Sequence, residues 1–246
     1  MARFFLDTDM LSGENVALPP DVVKHLQVLR LSVGSELTLL DGNGVVCRAI
    51  LSTLGRGAAT ARILERRMEA DSTLPLTLLF GLPKGEKIEL VLQKGTELGI
   101  TTFWPVYTER GDRRIPDERL AKRMLRWQRI VRDAAQQCRR DFLPQLMSPQ
   151  PLSEALTQVK GVCRLVPWEE EVRSLAASLP QNPPASVAVL IGPEGGLTAE
   201  EVKLSESHRF ARVSLGRRIL RCETAGIAVA AILQYLYGDF GNFDCN

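Results

Sequence analysis

Residues 214 to 225 read SLGRRILRCETA. They follow an alternating run, Phe210 to Val213, that has the pattern of a short strand, and they precede a long apolar run that has the pattern of a helix. A strand-to-helix turn needs a glycine and a cap. This one also holds three arginines, Arg217, Arg218 and Arg221, and the aliphatics Leu215, Ile219 and Leu220. Two interpretations stay open on spacing alone. The aliphatics plug the core and the arginines are solvated, or the aliphatics flank a flat ring while Gly216 lets backbone reach its polar edge.

Upstream, SVAVLIGPEGGLTAEEV (residues 186 to 202) repeats the order strand, glycine-rich loop, helix. Thr198 and Glu201 have the spacing of a capping box, which fixes the helix start. Glycines 192, 195 and 196 permit close backbone approach to a ligand. The loop's details argue against a phosphate cradle. It lacks the Gly-x-Gly-x-x-Gly order and the P-loop lysine, and Glu194 would repel a phosphate. A ligand bearing an ammonium or sulfonium group suits it better. Short apolar runs (LTLLFGL, GVCRLVP, SVAVLIG, FARVSL) alternate with helical stretches from about residue 73 onward, which predicts a mostly parallel α/β sheet. Both loops then fall beyond the carboxyl ends of their strands, where such sheets bind ligands.

The first seventy residues have a different pattern. ELTLL and VVCRAIL flank DGNG, a hairpin signal, and ATARILERR supplies a further strand. ADSTLPL (70 to 76) is a natural linker, so the expected division is a β-rich domain over 1–72 and an α/β domain over 73–246. The length of 246 residues suits two domains. The opening MARFFLDTDM has no basic segment followed by an apolar one, so a secretory signal is not expected. The longest apolar run, Ala225 to Leu233, is far too short to span a bilayer, and no membrane partner is expected. The five cysteines are scattered without a Cys-x-x-Cys pair, which points to reduced thiols and a cytoplasmic location. Neither His25 nor His208 has a metal-ligand neighbour at useful spacing, so no metal site is expected.

Net charge is only +2, but residues 110 to 140 hold eleven Lys or Arg against four acids. That local excess of seven leaves the remainder of the chain at −5. On a helical wheel of 117–140, Leu120, Met124, Trp127, Val131, Ala134 and Cys138 share one face, and Arg119, Lys122, Arg123, Arg126, Arg129 and Arg140 cluster opposite. After Glu118 only Asp133 balances them within the helix, and arginine suits bidentate phosphate contact. The pattern favours a nucleic-acid surface over a merely solvated one.

IGPEGG (191 to 196) followed by SLGRRILRCETA resembles the cofactor-binding signature of the RsmE family, bacterial methyltransferases of the SPOUT superfamily. RFFL (3 to 6) and HLQVLRLSVGSELTLLDGNG (25 to 44) resemble that family's N-terminal domain, and LPKGEKIELVLQKGTELGI (82 to 100) and RWQRIVRDAAQQCRR (126 to 140) its central segments. The chain departs from the family at Gly111, often a serine, and at Gln136, often a glutamate. The resemblance implies a small PUA-like RNA-binding β-barrel, then a SPOUT domain whose C-terminal chain forms a trefoil knot around S-adenosylmethionine (SAM). It implies methylation of N3 of a specific uridine in 16S ribosomal RNA, free or in the small subunit, by a homodimer. Cofactor contacts would come from Val166, Pro167, Ile191, Gly192, Glu194, Gly195, Gly196, Leu215, Gly216, Ile219 and Leu220. Arg221 and Glu194 would serve catalysis. RNA would meet Lys84, Lys87, Lys94, Arg110, Arg113, Arg114, Arg123, Arg126, Arg140, Arg217 and Arg218. The rival readings are a catalytically silent RNA-binding protein of the same fold and a nucleotide-phosphate enzyme built on GPEGG.

Overall fold

The computed structural model describes residues 1–71, 73–83 and 85–240, in two compact units. The first unit comprises Met1–Ser72 with Ala135–Leu143, the second Thr73–Ala134 with Pro144–Asn246. A boundary drawn at residue 72 leaves 135–143 with the α/β domain. The structure assigns that segment to the first unit, because Ala135 is buried against Phe5, Leu40 and Val46 and Asp141 pairs with Arg3. Helical periodicity reveals a buried face but not which layer covers it.

The first unit holds β1 (Ala2–Phe5), β2 (Asn15–Leu18), helix α1 (Pro20–Val28), β3 (Glu36–Leu40), β4 (Val45–Leu54) and β5 (Ala59–Met68). The sheet order is β1-β3-β4-β5-β2, antiparallel except for the β1–β3 pair. The DGNG hairpin forms where its chemistry predicts. The Asp41 carboxylate accepts from the backbone N–H of Asn43 (2.8 Å) and of Val45 (2.9 Å), and Gly42 and Gly44 have positive φ. Register shifts between β4 and β5 mark bulges, which bend paired strands. Leu37, Leu39, Cys47, Ala49, Leu51 and Ala61 turn inward onto Val22, Val23 and Leu26 of α1.

The second unit contains β6 (Leu76–Gly81), α2 (Lys87–Glu97), β7 (Thr102–Tyr107), α3 (Asp117–Cys138, which ends in the first unit), β8 (Gln145–Leu146), β9 (Gln150–Pro151), α4 (Leu152–Gln158), β10 (Cys163–Pro167), α5 (Leu175–Ser178), β11 (Val187–Ile191), α6 (Ala199–Ser207), β12 (Ala211–Val213) and α7 (Cys222–Tyr237). Strand order is β12-β10-β11-β6-β7-β8, with β9 also on β7, and every pairing is parallel. The strands are apolar on both faces, as a doubly covered parallel sheet requires. Leu76, Leu78, Phe80, Val187, Val189 and Ile191 face a core shared with α2, α3 and α7, whereas Leu79, Ala188 and Leu190 face one shared with α4 and α6.

Helix α7 is apolar nearly throughout, a composition that predicts cover all round. Only one face is covered. Ala225, Gly226, Val229, Ala230 and Leu233 are buried, and Ile232, Tyr235 and Leu236 are 40%, 67% and 48% exposed. Among the described residues, no helix is long and apolar enough to cross a membrane, and no cluster of three His, Cys, Asp or Glu could hold a metal ion.

Candidate active site

Because β6, β10, β11 and β12 run parallel, the segments leaving their carboxyl ends emerge on one edge of the sheet. They converge on a cleft of about 420 Å³, within the range of small-molecule sites. After β6 comes Lys87, after β10 Trp168 and Glu169, after β11 the loop Gly192–Leu197, and after β12 the stretch Ser214–Cys222. The two glycine-bearing stretches thus face one another across a single cavity.

The loops are held by local chemistry. The predicted capping box forms: Thr198 Oγ1 accepts from the Glu201 N–H (3.2 Å), and Glu201 accepts from the Thr198 N–H (2.9 Å). The other Glu201 oxygen accepts from the Glu109 N–H at 2.8 Å, tying the 107–111 segment to the start of α6. Arg110 Nη1 donates to the carbonyl of Gly195 (3.1 Å) and more distantly to that of Leu197 (3.5 Å). The glycines serve two different needs. A Cβ on Gly192 would meet the Leu197 nitrogen at 2.9 Å, so that glycine lets the loop fold on itself. Gly216 has φ +107 with nothing within 4 Å of a built Cβ, so its backbone is open to the cavity.

The electrostatics are concentrated at one end. Lys87 Nζ lies 3.0 Å from Glu194 Oε1, and Cys222 Sγ donates to Glu223 Oε2 at 3.2 Å. The Glu194 carboxylate holds the Lys87 ammonium above its ordinary range, against a smaller burial effect and with help from Glu223. Burial pushes the Glu223 carboxyl up, but its own backbone N–H, the Cys222 thiol, Lys87 and Arg221 outweigh that and leave it below the usual range. Burial, then the Glu223 carboxylate, push the Cys222 thiol up to about 12, so this thiol stays protonated at neutral pH.

The structure brings together Pro167, Ile191, Gly192, Glu194, Gly195, Gly196, Leu215, Gly216, Ile219, Leu220 and Arg221 around one cleft, with Arg217 and Arg218 on the same wall. It does not bring Val166. That side chain is fully buried on the opposite sheet face with Leu79, Trp104 and Leu190, because neighbours along a strand point to opposite faces. Trp168 and Glu169, within the stretch LVPWEE (165 to 170) that the family resemblance offers as a third wall, also line the cleft, and sequence reasoning missed Cys222, at the start of α7. Lys87, expected to meet RNA, instead lines the cleft.

The basic surface also changes. Arg126 pairs with Glu89 (2.8 Å) and Glu86 (3.1 Å), and Arg123 lies 3.9 Å from Asp112. Their acids come from outside α3, which a count within the helix cannot register. Lys94 pairs with Glu97 at 2.9 Å. Arg113 and Arg114 are exposed, and Arg140 lies half-buried in the first unit. Lys84 lies outside the described residues.

A family model described as an RNA methyltransferase domain matches residues 70–234, and one described as an RNA methyltransferase PUA domain matches residues 18–64. The ribosomal RNA small subunit methyltransferase E of Synechocystis sp. is 38% identical over 240 residues, which cover 95% of this chain and 77% of that protein. The chain belongs to the RsmE family of RNA methyltransferases. An RsmE protein of Bacillus subtilis is 28% identical over 96% of both chains. The crystal structure of the Neisseria gonorrhoeae enzyme bound to SAM superposes with a TM-score of 0.88 at 35% identity, covering 98% of this chain and 99% of that one. A Legionella pneumophila methyltransferase solved with SAM gives the same TM-score at 33% identity, covering 98% of this chain and 99% of its own. The chain therefore has an N-terminal PUA-like domain and a mixed α/β RNA methyltransferase domain.

Proposed function

We propose that this RsmE-family chain methylates N3 of one uridine in small-subunit (16S) ribosomal RNA, with SAM as methyl donor. The observation that carries the proposal is the convergence of the two signature loops on one cleft that contains a carboxylate, Glu194, and an open glycine backbone at Gly216. A carboxylate suits a sulfonium-bearing ligand, and exposed backbone suits the hydrogen-bonding edge of an adenine. Gly192, Gly195 and Gly196 would hold it from one side, and Leu215, Gly216 and Leu220 from the other. When bound, SAM supplies an electrophilic methyl group on a good leaving group.

The protein has two tasks left, to position the uracil and to manage the N3 proton. Glu194 would accept that proton, and Arg221, at the start of α7, would stabilise the anionic ring. Exposed Arg217 and Arg218 flank the cleft mouth and would meet RNA phosphate, as would Arg113 and Arg114. We place the enzyme in the cytoplasm, where Cys47, Cys138, Cys163 and Cys222, none of them in a disulfide, stay reduced. The domain division is proposed as a PUA-like RNA-binding region over 1–72, which residues 135–143 join, and a SPOUT domain over the remainder of 73–246, with the C-terminal chain knotted around the cofactor.

We further propose a homodimer. Thr224, Ile227, Ala228, Ala231, Ile232, Tyr235 and Leu236 recur at helical spacing along the uncovered side of α7. A second copy presenting the same stripe would bury both about a twofold axis. The test of function is direct. Small ribosomal subunits lacking the modification are incubated with the full chain and SAM, and their nucleosides are resolved by mass spectrometry. 3-Methyluridine confirms the proposal. SAM binding by calorimetry without methyl transfer favours the silent RNA-binding protein, and binding of ATP alone the nucleotide enzyme.

A further inference from the structure

Lys87 occupies a position that helix chemistry disfavours. It is the first residue of α2, where the positive end of the helix dipole meets a positive side chain. Two acids that would suit that end, Glu86 and Glu89, both serve Arg126. Lys87 reaches instead across the cleft to Glu194, 3.0 Å away on the loop after β11. From α7, Glu223 and the Cys222 thiol also face it, with Arg221 beside them. Local rules broken without local compensation mark functional positions.

The chemistry of a uracil ring explains the pairing. Its imide edge is an N3–H donor flanked by two carbonyl acceptors. A carboxylate next to an ammonium is the complement of half that edge, one accepting from N3–H and the other donating to the neighbouring carbonyl. Cytosine presents a bare N3 on the same edge, so the carboxylate would face an acceptor with no proton to give. We infer that Lys87 and Glu194 together form the uracil-reading and proton-accepting element of the site, with Lys87 bound to a ring carbonyl rather than to RNA phosphate. This assignment rests on the proposed N3 methylation.

The step balances. The N3–H bond breaks and its proton passes to Glu194. The electron pair left on the imide is delocalised onto the carbonyl oxygen that Lys87 holds. The N3–CH3 bond forms as the sulfur–methyl bond breaks, releasing a neutral thioether. An ammonium suits this better than it suits phosphate contact here, because Glu194 and Glu223 already offset its charge towards distant anions.

The experiment uses the full-length protein with saturating SAM and small ribosomal subunits lacking the modification. Single-turnover rates are measured from pH 6 to pH 10 for the wild type, Lys87→Met and Lys87→Arg, with melting curves for each. Lys87→Met should be roughly 100-fold slower at pH 7. The deficit should narrow as rising pH ionises N3 without help. Lys87→Arg should keep most of the rate, and RNA and SAM affinities should stay within about twofold for both variants. An unchanged single-turnover rate with weaker, less salt-dependent RNA binding would make Lys87 a phosphate contact and overturn the inference. A deficit that is constant with pH would also overturn it, by reducing Lys87 to a support for the loop. If the wild type places no methyl on N3 of uridine, the functional proposal itself fails, and the wild-type control shows that separately.

Discussion

Substituting valine at Gly195 tests whether the loop after β11 holds the cofactor. Gly195 is exposed and its φ lies outside the left-handed region, so its backbone accepts a side chain without strain. The obstacle is a neighbour. A Cβ there would meet Arg110 Cβ at 2.9 Å and the Arg110 carbonyl at 3.4 Å. Ordinary carbon contacts begin at about 3.5 Å, so roughly half an ångström of displacement is needed. The side chain pushed aside is the one whose guanidinium donates to the carbonyls of Gly195 and Leu197. Such charge-assisted bonds contribute about 1.5–3 kcal/mol when protected, and about 1 kcal/mol or less in an exposed setting like this. Adding the two extra methyls of valine in the cleft, the loss is about 1–3 kcal/mol, or roughly 5- to 150-fold in SAM affinity. Isothermal titration calorimetry measures it, and Arg110→Ala, which breaks the bonds without a clash, should fall at the lower end. The melting temperature should move little, because no core residue is touched. A Gly195→Val protein that binds SAM within twofold of the wild type would refute the assignment of this loop.

Removing Arg113 and Arg114 together should weaken RNA binding and flatten its salt dependence, by about 0.7–0.9 in log–log slope for each phosphate no longer neutralised. Arg126→Ala, whose guanidinium already serves Glu86 and Glu89, should change that slope by less, and equal slopes for both variants would contradict the ion pairing. The Cys222 thiol is raised from 9.0 to about 12 in the folded chain, so the folded state holds this proton more tightly than the unfolded one. Its contribution is complete below pH 9 and is lost as pH rises towards 12, so Cys222→Ala should show a shallower alkaline fall in stability by denaturant titration. Ile232→Glu with Leu236→Glu should leave a folded monomer at micromolar concentration in sedimentation, and an intact dimer would remove α7 from the interface. If RNA-binding residues of one subunit serve the cleft of the other, a Gly195→Val chain mixed with an Arg113→Ala, Arg114→Ala chain should regain activity after subunit exchange.

What the sequence reveals about this chain depends on how far apart the deciding groups lie. The DGNG hairpin is legible because Asp41 bonds to Asn43 and Val45, within the stretch being read. The capping box at Thr198 and the alternation of strands with helices are legible for the same reason. The proposed knot has no such local signal, since threading leaves no periodic trace, and it enters only by resemblance to a family. Val166 failed on a matter of parity: CRLVP is too short and too apolar to reveal which of its residues face the cleft. The largest revision concerns charge. Counting acids inside α3 left its arginines without partners, yet Glu86, Glu89 and Asp112 reach them from elsewhere in the fold. The same blindness hid Lys87, which looks like one more basic residue until the sheet carries Glu194 to within 3.0 Å of it. A parallel sheet gathers at one edge residues that are distant along the chain, so charge density along the sequence locates a basic region but does not separate a phosphate contact from an internal ion pair. That distinction is tertiary, and at Lys87 it changes the assigned role from gripping RNA backbone to reading a base.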